Sequence, residues 1–136
     1  MGVIKACNVR DIDILLDVDT EDDSGDVRNY EMWRVGHYDH KEPDTLDWID
    51  QHFKPGDTVF DIGANIGQYS LYAAKRLEGN VQILAFEPEA LNFAKLNRNI
   101  VLNDMVEIIV PYPIAISNQT AVDTFYSKTF AVGASL

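Results

Sequence analysis

Between residues 58 and 110, the sequence alternates short apolar runs with longer stretches in which apolar residues recur at helical spacing. The predicted strands are residues 58–62, 81–86 and 106–110, with one more short strand at 121–126, and the predicted helices are residues 68–77 and 89–102. Apolar runs of this kind are typical of parallel strands covered on both faces. The alternation therefore predicts an α/β fold with a doubly wound, Rossmann-like, mostly parallel sheet, of which the first three parallel strands are present.

A different pattern precedes this segment. Residues 11–19, DIDILLDVD, alternate apolar and acidic side chains, which predicts a half-buried strand. Residues 27–35, VRNYEMWRV, predict a returning strand, so that the two form a β-hairpin. The acidic turn between them resembles a calcium loop, but Thr20 stands at the first ligand position and strands replace the flanking helices. We therefore predict a solvated turn and no metal site.

Residues 43–53, PDTLDWIDQHF, have the apolar spacing of a helix, with Asp44 or Thr45 as its N-cap. Lys54 to Asp57, KPGD, then end it. The sequence thus divides into residues 1–54, a hairpin and lead-in helix, and residues 55–136, which contain the predicted sheet.

The charge of the chain restricts its partners. Its 22 acidic and 11 basic residues give a formal net charge of -11. Proteins that bind nucleic acid or anionic membranes usually carry basic surfaces, so we expect neither partner. The start, MGVIKACNVRD, lacks the apolar core of a signal peptide, and we expect a cytoplasmic protein. Cys7 is the single cysteine, which excludes an internal disulfide.

The first predicted parallel strand leads into VFDIGANIG, residues 59–67. In open parallel sheets, ligands bind beyond the carboxyl ends of the strands, where this turn lies. Gly63 and Gly67 permit tight turns and close backbone approach to a ligand. Asn65 is a suitable helix N-cap with an amide that can reach a ligand, and Asp61 adds a negative charge. A tight turn without a ligand remains the alternative, whereas the dinucleotide pattern G-x-G-x-x-G fails at Asn65 and Gln68.

The second predicted strand ends in AFEPEA, so Glu87 lies beside the first turn. A carboxylate there can accept hydrogen bonds from both hydroxyls of a ribose, and Pro88 offers an apolar edge to an adenine. The alternative for Glu87 is a charge that complements the dipole of the following helix. After the third strand, Ala115, Ile116 and Ser117 are placed where a third loop could close over the adenine, although small residues also serve simple packing.

Together these segments are similar to class I S-adenosylmethionine-dependent methyltransferases and, more narrowly, resemble the FkbM family. The resemblance is carried by VFDIGANIGQYSLYAAK at 59–75, AFEPEALNFAKLNRNIVLN at 85–103, VPYPIAISNQTAVDTFY at 110–126 and the lead-in LDWIDQHFKPGD at 46–57. It covers about two-thirds of the chain.

The resemblance implies S-adenosylmethionine as cofactor and a role for each matched residue. The methionine part of the cofactor would be surrounded by Asp61, Gly63, Asn65 and Gly67. Glu87 would hold the ribose. The adenine would be flanked by Pro88 and Ile116, with Ala115 and Ser117 nearby. It also implies O-methylation of a hydroxyl on a sugar or a natural-product alcohol, and therefore a small-molecule or glycan acceptor. The family's later K-x-D-x-E-G-type segment is not found, so we expect the N-terminal half of a seven-stranded domain.

Two other interpretations stay open: a nucleotide-binding or NAD-binding module, and a non-catalytic remnant that associates with another polypeptide. No residue is predicted to be the catalytic base. His37 and His40 could line an acceptor pocket, whereas His52 on the lead-in helix fits a surface or packing role. No HExxH motif or paired cysteines indicate a metal.

Overall fold

The computed structural model of the protein describes residues 3–19 and 35–126. Its elements, in chain order, are β1 (Val3–Val9), β2 (Ile12–Val18), α1 (Pro43–His52), β3 (Thr58–Ile62), α2 (Gln68–Arg76), β4 (Gln82–Phe86), α3 (Ala90–Leu102) and β5 (Ile109–Tyr112). Strands and helices alternate from β3 onward, and the predicted α/β class is confirmed.

Strands β3, β4 and β5 form a parallel sheet in that order. The register places Val59 opposite Ile83, and Ile83 opposite Ile109. All three carboxyl ends therefore lie at one edge, and the turns that follow β3 and β4 are neighbours. This is the predicted Rossmann-like arrangement of three parallel strands.

The two faces of the sheet differ in burial. Ile83 and Ile109 on one face are buried beneath the described helices, whereas Phe60 and Ile62 on the other face are 64% and 63% exposed. The rings of Phe60 and Phe86 lie 6.0 Å apart in an edge-to-face contact on that second face. The prediction that β3 is covered on both faces is therefore wrong for the described residues, because their helices pack on one side of the sheet.

The hairpin is present, but its strands differ from the prediction. β2 matches the predicted strand at 11–19, and it pairs in antiparallel fashion with β1, which the sequence analysis left unassigned. The connecting residues Arg10 and Asp11 have φ angles of 50° and 67°, as a tight two-residue hairpin turn requires. Of the predicted return strand, residues 27–34 lie outside the described residues, and Val35 is helical.

The hairpin docks against α2 and α3 through β2. Ile14, Leu16 and Val18 of β2 are fully buried and join the core that is shared with the helices and the sheet. Lys95 and Arg98 of α3 both bind the Asp17 carboxylate, with Lys95 Nζ 3.0 Å from its Oδ1. The hairpin is thus held by apolar packing and by a charge cluster centred on the buried pair Asp17 and Lys95.

Two further boundaries correct the sequence analysis. Helix α1 begins after Glu42 and has no side-chain cap, so neither Asp44 nor Thr45 is its N-cap. β5 runs from Ile109 to Tyr112 rather than 106–110, because residues 106–108 form a turn, and it includes Pro111. Proline is compatible with a strand whose free edge needs no N–H donor.

The predicted strand at 121–126 is wrong, since these residues are exposed and have no regular structure. Alternating side chains specify a strand only where a neighbouring strand completes the hydrogen bonds. The division at residues 54 and 55 stays a prediction. Across the described part of the chain, no helix combines the length and the apolar character needed to cross a membrane.

Candidate functional site

The turn between β3 and α2 is built from left-handed backbone. Gly63, Asn65 and Gly67 have φ angles of 78°, 55° and 96°. The N–H groups of Gly63 and Ala64 both donate to the carbonyl of Phe86, at 2.9 and 3.0 Å, which ties the turn to the end of β4. Gly67 is the N-cap of α2, so the prediction of Asn65 as N-cap is wrong. Asn65 instead supplies a left-handed turn position, which asparagine tolerates better than most residues.

The two glycines of the turn are required for different physical reasons. A Cβ on Gly67 would lie 2.7 Å from Leu96 Cδ1 of α3, so this fully buried side chain would have to shift, in addition to the cost of the left-handed backbone. A Cβ on Gly63 would meet nothing within 4 Å. The space beside Gly63 is thus open to a ligand, whereas Gly67 sets how closely the turn approaches α3. Contact of either glycine with a ligand stays a prediction.

Glu87 forms hydrogen bonds with the segments that follow β3 and β4. Its Oε2 accepts a hydrogen bond from the N–H of Asn65 at 2.8 Å, and its Oε1 accepts one from the N–H of Glu89 at 3.0 Å. The residue is only 6% exposed. Each carboxylate oxygen can accept a second hydrogen bond, so the group retains capacity for further donors. The N-cap of α3 is Glu89, whose side chain accepts from the N–H of Asn92. Glu87 is thus not the capping side chain of α3, although it lies at the helix start.

Asp61 faces the first turn of α2. Ser70 Oγ donates to Asp61 Oδ2 at 2.5 Å. Burial raises the pKa of the Asp61 carboxyl above its ordinary value, and the hydrogen bonds from Ser70 oppose that shift only in part. Asp61 and Ser70 are among the residues that line a groove of about 110 Å³ between α1 and the sheet, whose walls also include Trp48, Val59 and Tyr69.

The remaining predicted residues are placed less closely. Pro88 is half-buried directly after Glu87. Ala115, Ile116 and Ser117 follow β5 in an exposed segment without regular structure. Ser117 Oγ donates to the carbonyl of Gln119 at 3.0 Å in a local turn. The structure therefore brings together the β3 turn and Glu87, and it leaves residues 115–117 at the surface beyond them.

His37, His40 and His52 are exposed. The described residues contain no group of three or more His, Cys, Asp or Glu side chains that could hold a metal ion.

Sequence reasoning missed two side chains that act on the site. Ser70 binds Asp61, and Asn99 of α3 donates to the carbonyl of Ile66 at 2.9 Å. A signal existed for Asn99: together with Asn92 and Asn103 it recurs at helical spacing beside the apolar face of α3, and all three are buried. Polar residues in such positions are hydrogen-bonded, but the sequence does not name their partners.

The chain is similar to known methyltransferases. It is 50% identical over 48 residues to 31-O-demethyl-FK506 methyltransferase FkbM of Streptomyces tacrolimicus. It is also 50% identical over 46 residues to methyltransferase sdnD of Sordaria araneosa. Over these residues, the chain is similar to FkbM-type methyltransferases. The matches cover 35% and 34% of this chain, but they span only 18% and 17% of the relatives' own lengths. No protein-family model matches the chain.

Among solved structures, P. horikoshii TYW2 in complex with MeSAdo is similar at a TM-score of 0.56 and 22% identity. That likeness covers 84% of this chain and 36% of the TYW2 chain. Neither residues 1–54 nor residues 55–136 alone make up 84% of the chain, so the likeness includes residues from both parts. The described residues thus share the Rossmann-like α/β fold of TYW2.

Proposed function

We propose that this chain carries the cofactor-binding part of an S-adenosylmethionine-dependent methyltransferase. The observation that carries the proposal is the junction of the β3 turn with Glu87, in which Asn65 N–H and Glu87 Oε2 lie 2.8 Å apart. This junction stands at the carboxyl edge of the parallel sheet, the position at which open α/β sheets bind ligands. The similarity to FkbM and sdnD supports methyl transfer as the chemistry.

The residues present fit such a cofactor. Open space next to Gly63 admits a ligand against the backbone, and Glu87 has unused acceptor capacity for two ribose hydroxyls. Pro88 and Ile116 would flank the adenine, with Ala115 and Ser117 near it. The methionine part would lie against the β3 turn, surrounded by Asp61, Gly63, Asn65 and Gly67. The acidic groups Asp61 and Glu87 suit a sulfonium cation, since opposite charges within a cleft attract.

When bound, S-adenosylmethionine supplies an electrophilic methyl group on a sulfonium sulfur. This chain would contribute position: the β3 turn and the buried Glu87 carboxylate would hold the nucleoside in one orientation. An alcohol acceptor also requires removal of its proton. We assign no residue of this chain to that step.

We propose a hydroxyl group on a sugar or a natural-product alcohol as acceptor, and hence a small molecule or a glycan. The name of one relative, 31-O-demethyl-FK506 methyltransferase, describes an O-methylation and supports this class. The net charge of -11 favours a partner other than nucleic acid or an anionic membrane. A cytoplasmic location also remains part of the proposal.

The test is calorimetric titration of the 136-residue chain with S-adenosylhomocysteine, with NADH as the control ligand. Saturable binding of S-adenosylhomocysteine without binding of NADH is the expected result. Preferential binding of NADH would contradict the proposal and favour a dinucleotide-binding module. Binding of neither ligand by folded protein would mean that these residues do not form a cofactor site by themselves.

A further inference from the structure

Asn99 lies near the C-terminal end of α3, fully buried, with a hydrogen-bond partner on each side of its amide. Its Nδ2 donates to the carbonyl of Ile66 at 2.9 Å, in the turn after β3. Its Oδ1 accepts from the backbone N–H of Asp17 at 2.8 Å, in strand β2 of the hairpin. One side chain therefore connects two segments that are far apart in sequence.

The orientation of this amide is determined by its partners. A backbone carbonyl can only accept and a backbone N–H can only donate, so the reversed amide would lose both hydrogen bonds. Both residues are enclosed by the protein, since Asn99 and Ile66 are 0% exposed. An amide without exposed surface cannot exchange a lost partner for bulk solvent, which makes each of its hydrogen bonds costly to break.

Helix α3 also holds the turn at Gly67, the residue that follows Ile66. Leu96, one turn before Asn99 on α3, lies under Gly67 so closely that a Cβ there would be 2.7 Å from its Cδ1. Asn99 binds the carbonyl of Ile66, the residue before Gly67. Packing and hydrogen bonding from α3 thus fix the end of the turn, while Glu87 fixes its middle at Asn65.

On the hairpin side, further contacts from α3 hold strand β2. Asn103, one turn after Asn99, binds both the N–H and the carbonyl of Leu15 in β2, at 2.9 and 2.7 Å. Lys95 and Arg98 bind the Asp17 side chain. β2 is therefore held to α3 through the backbone of Leu15 and the side chain of Asp17, next to the point where Asn99 accepts the Asp17 N–H.

We propose that Asn99 is a positioning residue: it transmits the docking of the N-terminal hairpin to the turn at residues 63–67 and keeps that turn in its binding geometry. The hairpin then has a role in the site that it does not touch. The structural part of this inference concerns the turn itself, and its consequence for the cofactor rests on the proposed function.

The variant Asn99→Asp separates the two hydrogen bonds, because a carboxylate retains the acceptor for Asp17 and lacks the donor for Ile66. Asn103→Asp is the matched control. It likewise keeps an acceptor, for Leu15 N–H, and loses the donated bonds to Leu15 and to the Asn99 carbonyl, but it has no bond to the turn. Both substitutions place the same new charge on the same helix, one turn apart.

Residue-resolved amide hydrogen exchange on the 136-residue chain, without ligand, measures the effect. The amides of Gly63, Asn65 and Gly67 are all hydrogen-bonded, and that of Ile83 in β4 is the internal reference. In Asn99→Asp we expect exchange at Asn65 and Gly67 to accelerate by about tenfold relative to Ile83, the factor that corresponds to one lost hydrogen bond. In Asn103→Asp the same ratio should stay within about twofold of wild type. Equal acceleration in both variants, or none in Asn99→Asp, would overturn the inference.

A second measurement covers the case in which Asn99→Asp does not fold. In unmodified protein, the Asn99 side-chain protons should show nuclear Overhauser effects to the Gly67 amide and exchange slowly, and rapid exchange without such contacts would overturn the inference. Titration with S-adenosylhomocysteine distinguishes the two proposals. If wild type binds and Asn99→Asp binds about tenfold more weakly, both stand. Altered exchange without wild-type binding would contradict only the proposed function.

Discussion

The Glu87 carboxylate accepts a hydrogen bond from the backbone N–H of Asn65 at 2.8 Å, across the gap between two neighbouring strand ends. This single contact places a buried negative charge directly beside the glycine-containing turn. A carboxylate with unused acceptor capacity and a backbone turn with open space at Gly63 together form a surface suited to a nucleoside with free hydroxyls.

Replacement of Glu87 by alanine should weaken binding of S-adenosylhomocysteine by about 1–3 kcal/mol, because the ribose hydroxyls and two backbone N–H groups lose their acceptor. Calorimetry of the folded variant measures this loss. Glu89→Ala is the control: it removes the N-cap bond to Asn92 and should cost about 1 kcal/mol of folding stability with little change in affinity. Equal affinity of Glu87→Ala and wild type would remove Glu87 from the site.

The glycines of the turn should respond differently to alanine. Gly67→Ala forces a Cβ to within 2.7 Å of Leu96 Cδ1 in addition to the left-handed backbone cost, and we expect a loss of about 2–4 kcal/mol in the free energy of unfolding. Gly56→Ala is a matched control, with a φ of 90° and no atom within 4 Å of the added Cβ, and should lose only about 1 kcal/mol.

Gly63 has the same open surroundings as Gly56 in the protein alone, but it borders the candidate site. Gly63→Ala should therefore be about as stable as Gly56→Ala, and Gly63→Val should in addition abolish cofactor binding by steric exclusion. Denaturant unfolding and ligand titration of the three variants give both quantities. Retained affinity in Gly63→Val would place the ligand elsewhere.

Asp61 should make folding less favourable as its carboxyl group ionises. Burial raises its pKa in the folded protein above the ordinary value of 3.8, so the folded state binds the proton more tightly than the unfolded state. The free energy of unfolding then falls as pH rises from about 3.8 through the raised pKa, and the full cost is present above it. Asp61→Asn lacks this titration, so its stability relative to wild type should increase across that window.

The matched variant for Asp61 is Ser70→Ala, which removes the hydroxyl that donates to Asp61 Oδ2 and should raise the pKa of the carboxyl further. Unfolding curves at a series of pH values measure both variants. A stability difference between Asp61→Asn and wild type that does not change with pH would show that Asp61 is not perturbed in this way.

For Asp17, in the charge cluster beneath the hairpin, the predicted change of stability with pH has the opposite sign to that for Asp61. Burial opposes ionisation of Asp17, but the hydrogen bonds and charges of Lys95 and Arg98 outweigh it and lower its pKa below the ordinary value of 3.8. The stability that this group contributes is present above 3.8 and is lost as pH falls through the lowered pKa. Acid should therefore weaken the attachment of the hairpin to α3.

Asp17→Asn should cost about 2–4 kcal/mol at neutral pH, slightly below the usual cost of breaking a buried pair, because Lys95 retains Asp19. Asp19 has a side chain that is 61% exposed, and Asp19→Asn should cost only about 0.5 kcal/mol. Denaturant unfolding of both variants measures these costs, and similar costs for the two would mean that the Asp17 pair is effectively solvated.

The local parts of the site could be predicted from sequence. The turn at 63–67 and the position of Glu87 follow from two strand-to-helix transitions, each specified by residues close in the chain. The partner of β2 was missed because Arg10 and Asp11 give no glycine or asparagine signal for a tight hairpin, although the turn is stabilised by a 2.6 Å ion pair from Arg10 to Asp47.

The features that were not predictable depend on distant contacts. Asn99 binds Ile66 and Asp17, which lie 33 and 82 residues away in the sequence. The residues around Asn99 do not indicate these partners. The exposure of Phe60 depends on which sheet face the helices cover, whereas its local sequence is equally compatible with burial. The strand predicted at 106–110 stops before Pro111, whereas β5 continues through this residue, which its position at a sheet edge permits.

The most direct test of the central claim is a nuclear magnetic resonance titration of the 136-residue chain with S-adenosylhomocysteine. We predict saturable shifts at the backbone amides of Gly63, Asn65 and Glu87, with smaller changes at Ile116 and none at Val9 in the far strand of the hairpin. Saturable binding with shifts confined to other surfaces, or shifts at these amides produced by NADH in preference to S-adenosylhomocysteine, would contradict the claim that the β3 turn and Glu87 form a methyltransferase cofactor site.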